Sequence, residues 1–147
     1  MGLDMYLKAK QYIGEYRDVE RDDAIVADID KLDLPFRVTE VTMMVKYWRK
    51  ANAIHNWFVE NIQDGEDNCE EHYVDKNQLV KLLELCKSVE DDPTKAPELL
   101  PPRQGFFFGT YEYDESYFED IDDTIEALEK ALKATSQAIE FYYSSSW

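Results

Sequence analysis

Positive charge is what this chain has least of. Sixteen Lys and Arg stand against 32 Asp and Glu in 147 residues, a formal net charge of -16. Such a surface repels phosphate backbones and anionic membranes, so direct binding to nucleic acid or lipid is not expected. Glycine is also scarce: five residues leave no room for a phosphate-cradling or dinucleotide-binding loop. Two cysteines, Cys69 and Cys86, make no disulfide framework, and the paired Cys/His spacing of a structural zinc module is missing. Asp64-Gly65-Glu66-Asp67-Asn68 has its Gly too early for a calcium loop. No metal or cofactor is therefore expected. No stretch approaches the ~20 apolar residues that span a bilayer. The N-terminus lacks a cationic segment followed by an apolar run, and Tyr6 stands where N-myristoylation requires Ser or Thr. These absences predict a cytoplasmic protein with free thiols and Cys86 in a core.

What is present is apolar and aromatic material: 44% hydrophobic and 14% aromatic residues, enough to fold rather than remain an acidic tail. The length suits a single domain, residues 1–147. Alternation over Leu3 to Ile13 predicts a half-buried strand. Residues Glu15 to Asp33 read as an acidic loop with a short helix, and Val38 to Val45 as a second strand. Apolar steps of three and four residues predict a helix over Tyr47–Gln63. Tyr73-Val74 reads as a short strand. Asp75 with Gln78 forms a capping box that opens a helix to about Val89. Prolines make Asp92–Gln104 irregular, and Gly105 to Tyr113 reads as a strand or hairpin. Phe118, Ile121, Ile125, Leu128, Leu132, Thr135, Ile139 and Tyr142 predict one long helix over Asp114–Tyr143. The expected class is α+β: three principal helices, including a long C-terminal one, packed on a small antiparallel sheet.

The carboxylates are clustered: eight lie from Glu112 to Glu126 and six from Asp64 to Asp75, with no Lys or Arg in either block. On the last helix Glu115, Glu119, Asp122, Glu126 and Glu129 recur at three- and four-residue steps, and Asp120 and Asp123 widen the stripe. A rigid acidic rod of this kind has a charge density of the same order as a nucleic-acid strand, with Tyr113 and Tyr117 as anchors for Arg-rich surfaces. The plain alternative is a solvated face whose first turns favour acid at the positive end of the helix dipole. A second constellation places Arg49, Asn52 and His55 on one helical face near Phe107, as a small pocket. There the plain alternative is that Arg49 and Asn52 only tie the Gly105 loop to the helix. Nothing assembles a nucleophile, base and oxyanion site, so no catalytic residue is assigned and an enzyme is the less expected outcome.

Met1-Gly2-Leu3-Asp4-Met5-Tyr6-Leu7, the segment Tyr47 to Phe58, Gln104 to Gly109 and Glu112 to Glu115 together resemble a family of small proteins encoded by bacteriophages and prophages. The resemblance implies a phage origin and brings no catalytic residue with it. The expected function is a phage accessory protein that binds a basic host protein. More sharply, it would inhibit a nucleic-acid-binding defence factor, such as a CRISPR effector or a restriction or repair nuclease, as a DNA mimic. The alternatives are a small-ligand binder or enzyme using Arg49, Asn52, His55 and the Phe106–Tyr113 segment, and a homo-oligomeric phage structural component, with homodimerisation through the last helix.

Overall fold

The computed structural model describes residues 2–13, 23–105, 107–133 and 139–147. In chain order the elements are β1 (Asp4–Tyr12), α1 (Asp23–Asp30), β2 (Glu40–Arg49), α2 (Asn52–Ile62), β3 (His72–Val74), α3 (Lys76–Asp91), a 3₁₀ turn (Pro93–Lys95), α4 (Ala96–Leu99), α5 (Glu115–Lys133) and β4 (Ile139–Ser146). The class is α+β. The four strands form one antiparallel sheet ordered β2-β1-β4-β3. Five helices occur among the described residues. Three of them, α2, α3 and α5, answer to the principal helices of the sequence; α1 is the short helix expected within Glu15–Asp33, and the four-residue α4 is additional. Expectations that fall on residues 14–22, Phe106 and Thr135 lie outside the described residues. Among the described residues no helix is long and apolar enough to cross a membrane.

The two central strands set the core. Met5, Leu7 and Ala9 of β1 and Ile139, Phe141 and Tyr143 of β4 are buried, while Tyr6, Lys8, Lys10 and Tyr142 take the opposite face. Leu79, Leu82, Cys86 and Val89 of α3 and Ile121, Ile125 and Leu128 of α5 pack together with the covered face of the sheet. Full burial of each Leu-sized side chain contributes roughly 1.5–3 kcal/mol. The Asp75–Gln78 capping box forms as expected at the start of α3. Cys86 is buried and Cys69 exposed, both as free thiols.

Three expectations are corrected. The expected helix over Tyr47–Gln63 starts only at Asn52, because β2 continues through Tyr47, Trp48 and Arg49. Lys50 then takes φ 60°, a left-handed turn that no helix passes through. A bulge in the β1–β2 pairing, at Leu7/Lys8, lets Lys46 pair with Leu7 and Trp48 with Met5. That extra residue turns Trp48 into the core, where its Nε1–H donates to Thr124 Oγ1 of α5 at 2.9 Å.

The second correction concerns the C-terminus. The helix does not run from Asp114 to Tyr143; α5 ends at Lys133, and Ile139–Ser146 is β4, one of the two central strands. Ile139 and Tyr142 satisfy the helical step, but the run Ile139-Glu140-Phe141-Tyr142-Tyr143-Ser144 also alternates, and its aromatic residues suit a pleated surface. Pairing with both β1 and β3 decides between the two periods. Third, the described residues between Gly105 and Tyr113 are irregular, with a turn and two bends and no strand or hairpin.

Because β4 is central, its amides should exchange with solvent as slowly as those of β1, through global unfolding only. Hydrogen exchange followed by NMR checks this; fast exchange over residues 141–144, as at a frayed helix end, would contradict the topology.

Candidate functional site

The two acidic blocks have different fates. In the block from Asp64 to Asp75, Glu71 pairs with Lys8 and Lys10 of β1, and these two cations hold its carboxyl below the usual range. Asp75 caps α3. Asp67 reaches furthest. Its Oδ2 accepts from His55 Nε2–H at 3.1 Å and lies 3.6 Å from Arg103 Nε, and its Oδ1 accepts from Trp147 Nε1–H at 3.2 Å. These three carboxylates hold the molecule together, whereas Asp64, Glu66 and Glu70 of the same block are exposed and make no ion pair among the described residues.

The block on α5 is arranged otherwise. Glu115, Glu119, Asp122, Asp123 and Glu126 are exposed on one side of the helix, while Ile121, Ile125 and Leu128 face the core. Lys46 pairs with Asp123 at 2.6 Å, Lys130 with Glu126 at 2.5 Å and Lys87 with Glu129 at 2.6 Å. Glu115, Glu119 and Asp122 make no ion pair among the described residues. The two expected anchors separate: Tyr113 is 37% exposed, whereas Tyr117 is buried and its hydroxyl donates to the Leu100 carbonyl at 2.9 Å.

Asp120 leaves the stripe. It lies three residues after Tyr117 and four before Thr124, both buried, so the helix turns it inward. Burial, then the Asp123 carboxylate, push its pKa up to about 7; Glu119 and Asp114 add to this and Lys46 opposes it. Asp120 forms part of the wall of a cleft of about 330 Å³ between the β2–α2 turn and the start of α5. The opposite wall carries Arg49, Lys50 and Asn52, and Glu112 and Asp114 stand at the near edge. Asn52 is already committed, since its Oδ1 accepts from the Arg103 N–H and its Nδ2 donates to the Thr110 carbonyl at 3.5 Å. For Asn52 the loop-tying role is therefore real, and Arg49 takes no part in it. Asp114 is likewise occupied, with Oδ1 accepting from the Tyr117 N–H at 3.0 Å.

The expected pocket is thus only half assembled. Arg49 and Asn52 meet in the cleft, but His55 and Phe107 do not line it. His55 sits on α2, wholly buried, with Phe108 edge-on to its ring at 5.1 Å. Its neutral ring accepts from the Tyr143 hydroxyl at Nδ1, 2.7 Å away, and donates from Nε2 to Asp67. Burial lowers its pKa below 6.5, with Asp67 opposing and Arg103 assisting. Phe107 is 40% exposed. Gly109, Thr110 and Glu112, from the Phe106–Tyr113 segment of the ligand-site alternative, do line the cleft, whereas no sequence signal indicated Lys50 or Asp114 for it; the Lys50 turn has no local signature, since Lys does not favour a left-handed φ.

Two titrations follow. An acid whose folded pKa is raised loses stability as pH climbs from 3.8 through about 7. Asp120→Asn should therefore stabilise the protein above neutrality, by about 1–2 kcal/mol once solvent screening is discounted, with the gain vanishing in acid. Denaturant unfolding measured across that range checks it. A histidine with a lowered folded pKa contributes stability that fades as pH falls below its unfolded value of 6.5. The stability gap between the wild type and His55→Gln should accordingly narrow in that direction, and a gap independent of pH would contradict a neutral, buried His55.

No protein-family model, no curated protein and no solved structure matches this chain.

Proposed function

We infer that the protein works by binding a basic partner protein through the outward face of α5. The observation that carries this reading is a division among carboxylates: Asp67, Glu71 and Asp75 of the 64–75 block are drawn into internal bonds, while Glu115, Glu119 and Asp122 stand together on one face of an ordered helix with no cation of their own among the described residues. Eleven residues at ~1.5 Å rise spread the exposed acids, with Asp123 and Glu126, along about 16 Å of ordered helix. Phosphates of one DNA strand recur every ~3.4 Å, so a groove shaped for a nucleic-acid backbone meets a comparable density of negative charge. Exposed Tyr113, beside the first turn of α5, adds an aromatic surface for an Arg side chain. The resemblance to phage and prophage proteins supports the host setting: a cytoplasmic accessory factor that occupies a nucleic-acid-binding defence protein, such as a CRISPR effector or a restriction or repair nuclease. Like charges at three- and four-residue spacing cost the free helix a few tenths of a kcal/mol each, a cost that a cationic partner removes.

A second reading, a small-ligand site, draws on the cleft where Arg49 and Asn52 meet. Self-association through α5 draws less support, because its apolar stripe faces α3 and β2.

Partner capture from a bacterial lysate, at about 50 and about 500 mM salt, tests the leading reading. Basic nucleic-acid-binding proteins should be retained at low salt, released at high salt and displaced by duplex DNA. The variant Glu115→Gln, Glu119→Gln, Asp122→Asn, Glu126→Gln should lose them. Undiminished capture by that variant, or capture indifferent to DNA, overturns the reading.

A further inference from the structure

The cleft between the β2–α2 turn and α5 has walls of opposite sign that do not neutralise each other. Arg49 and Lys50 on one side make no ion pair among the described residues, which is unusual where acids outnumber bases by 32 to 16. Across the cleft, neither the Asp120 carboxylate nor that of Glu112 makes a direct hydrogen bond or ion pair among the described residues, and Lys46, which pairs with Asp123, acts on Asp120 only at longer range. No hydrogen bond or ion pair joins the charged side chains of the two walls among the described residues, so charges of both signs line the space between them.

The turn that presents the cations is held in place. Lys50 keeps φ 60°, its N–H donates to the Leu3 carbonyl at 2.8 Å, and its carbonyl accepts from the Asn52 N–H at 2.8 Å. Gly109, at φ 97°, packs against it so closely that an added Cβ would lie 3.3 Å from Lys50 Cβ. A left-handed φ is unfavourable for a non-glycine residue, and at Lys50 it persists because these contacts over-determine it, which fixes the direction of the turn. On the other wall, Asp120 belongs to a rigid helix.

We propose that this cleft binds a small zwitterion, its acidic group held by Arg49 and Lys50 and its amine or guanidine by Asp120 with Glu112. A ligand with one charge satisfies one wall and leaves the other unpaired; a zwitterion satisfies both. A cleft of about 330 Å³ suits a molecule of amino-acid size. The raised pKa of Asp120 fits this, because Asp123, Glu119 and Asp114 outweigh Lys46 around it and an incoming cation supplies the missing counter-charge. The proposal rests on the ligand-binding reading of the cleft and is independent of the outward face of α5.

The test is an NMR titration of the full chain at about pH 8, where Asp120 is ionised. The probes are glycine, β-alanine, γ-aminobutyrate, ε-aminocaproate and L-arginine, with n-butylamine and butyrate as single-charge counterparts. At least one zwitterion should give saturable shifts at Arg49, Lys50 and Asp120 and bind about tenfold or more tightly than either counterpart. Arg49→Gln and Asp120→Asn, each keeping the wild-type spectrum elsewhere, should weaken it about tenfold. Glu119→Gln with Asp122→Asn should not. If butylamine or butyrate binds as well as every zwitterion, the cleft is a ligand site of another class and this proposal fails alone. If no probe saturates, or both wall variants bind undiminished, the proposal and the ligand-binding reading fail together.

Discussion

With half as many cations as carboxylates, the fold cannot pair every acid, and where it places the few cations shapes the molecule. Lys8 and Lys10 go to Glu71, joining the first strand to the loop before β3. Lys46, turned inward by the bulge in β2, joins that strand to α5 through Asp123. Arg103 joins the proline-rich connection to Glu60 at 2.8 Å and to Asp67. Each of these pairs links segments far apart in sequence. Exposed pairs contribute little individually, typically under about 1 kcal/mol, so their larger effect is to decide which carboxylates stay unpaired.

Asp67 shows how far one carboxylate can be committed. It meets α2 through His55, the connection before α5 through Arg103, and the C-terminus through Trp147. Beneath it, Tyr143 bonds His55 and stacks on Phe58 with ring centroids 3.9 Å apart. His55 is thereby fixed as a neutral structural group linking a helix to a central strand. Its burial and two hydrogen bonds leave no ring nitrogen for chemistry in the cleft. That is why the pocket that periodicity built around His55 comes apart, while its Arg49 and Asn52 survive in a different one.

Much of this was legible in the sequence and some of it was not, for physical reasons. Alternation in Leu3–Ile13 and the Asp75–Gln78 box are local signals, and β1 and α3 follow them. The α5 stripe is local as well, and it lies outward as its spacing requires. Asp120 could have been separated from the stripe, since it shares a face with Tyr117 and Thr124. The strand β4 could not be told from helix by period alone, because its partners are β1 and β3, far away in sequence. The start of α2 was obscured by a left-handed Lys50 that is sustained by Gly109, the Leu3 carbonyl and the Asn52 N–H, contacts with no local sequence signature. The ties at Asp67 join residues up to 80 positions apart and have no sequence pattern.

If the carboxylates divide into an internal set and an outward set, and the proposed basic partner takes the outward one, a cationic ligand should find α5 and pass over the acids already bonded within the fold. A titration with a short Arg-rich peptide, followed residue by residue by NMR, tests it most directly. Shifts should concentrate on α5 between Glu115 and Glu126, fall with added salt and leave Asp67, Glu71 and Asp75 unmoved. Shifts spread evenly over both acidic blocks, or centred on the 64–75 segment, would contradict it.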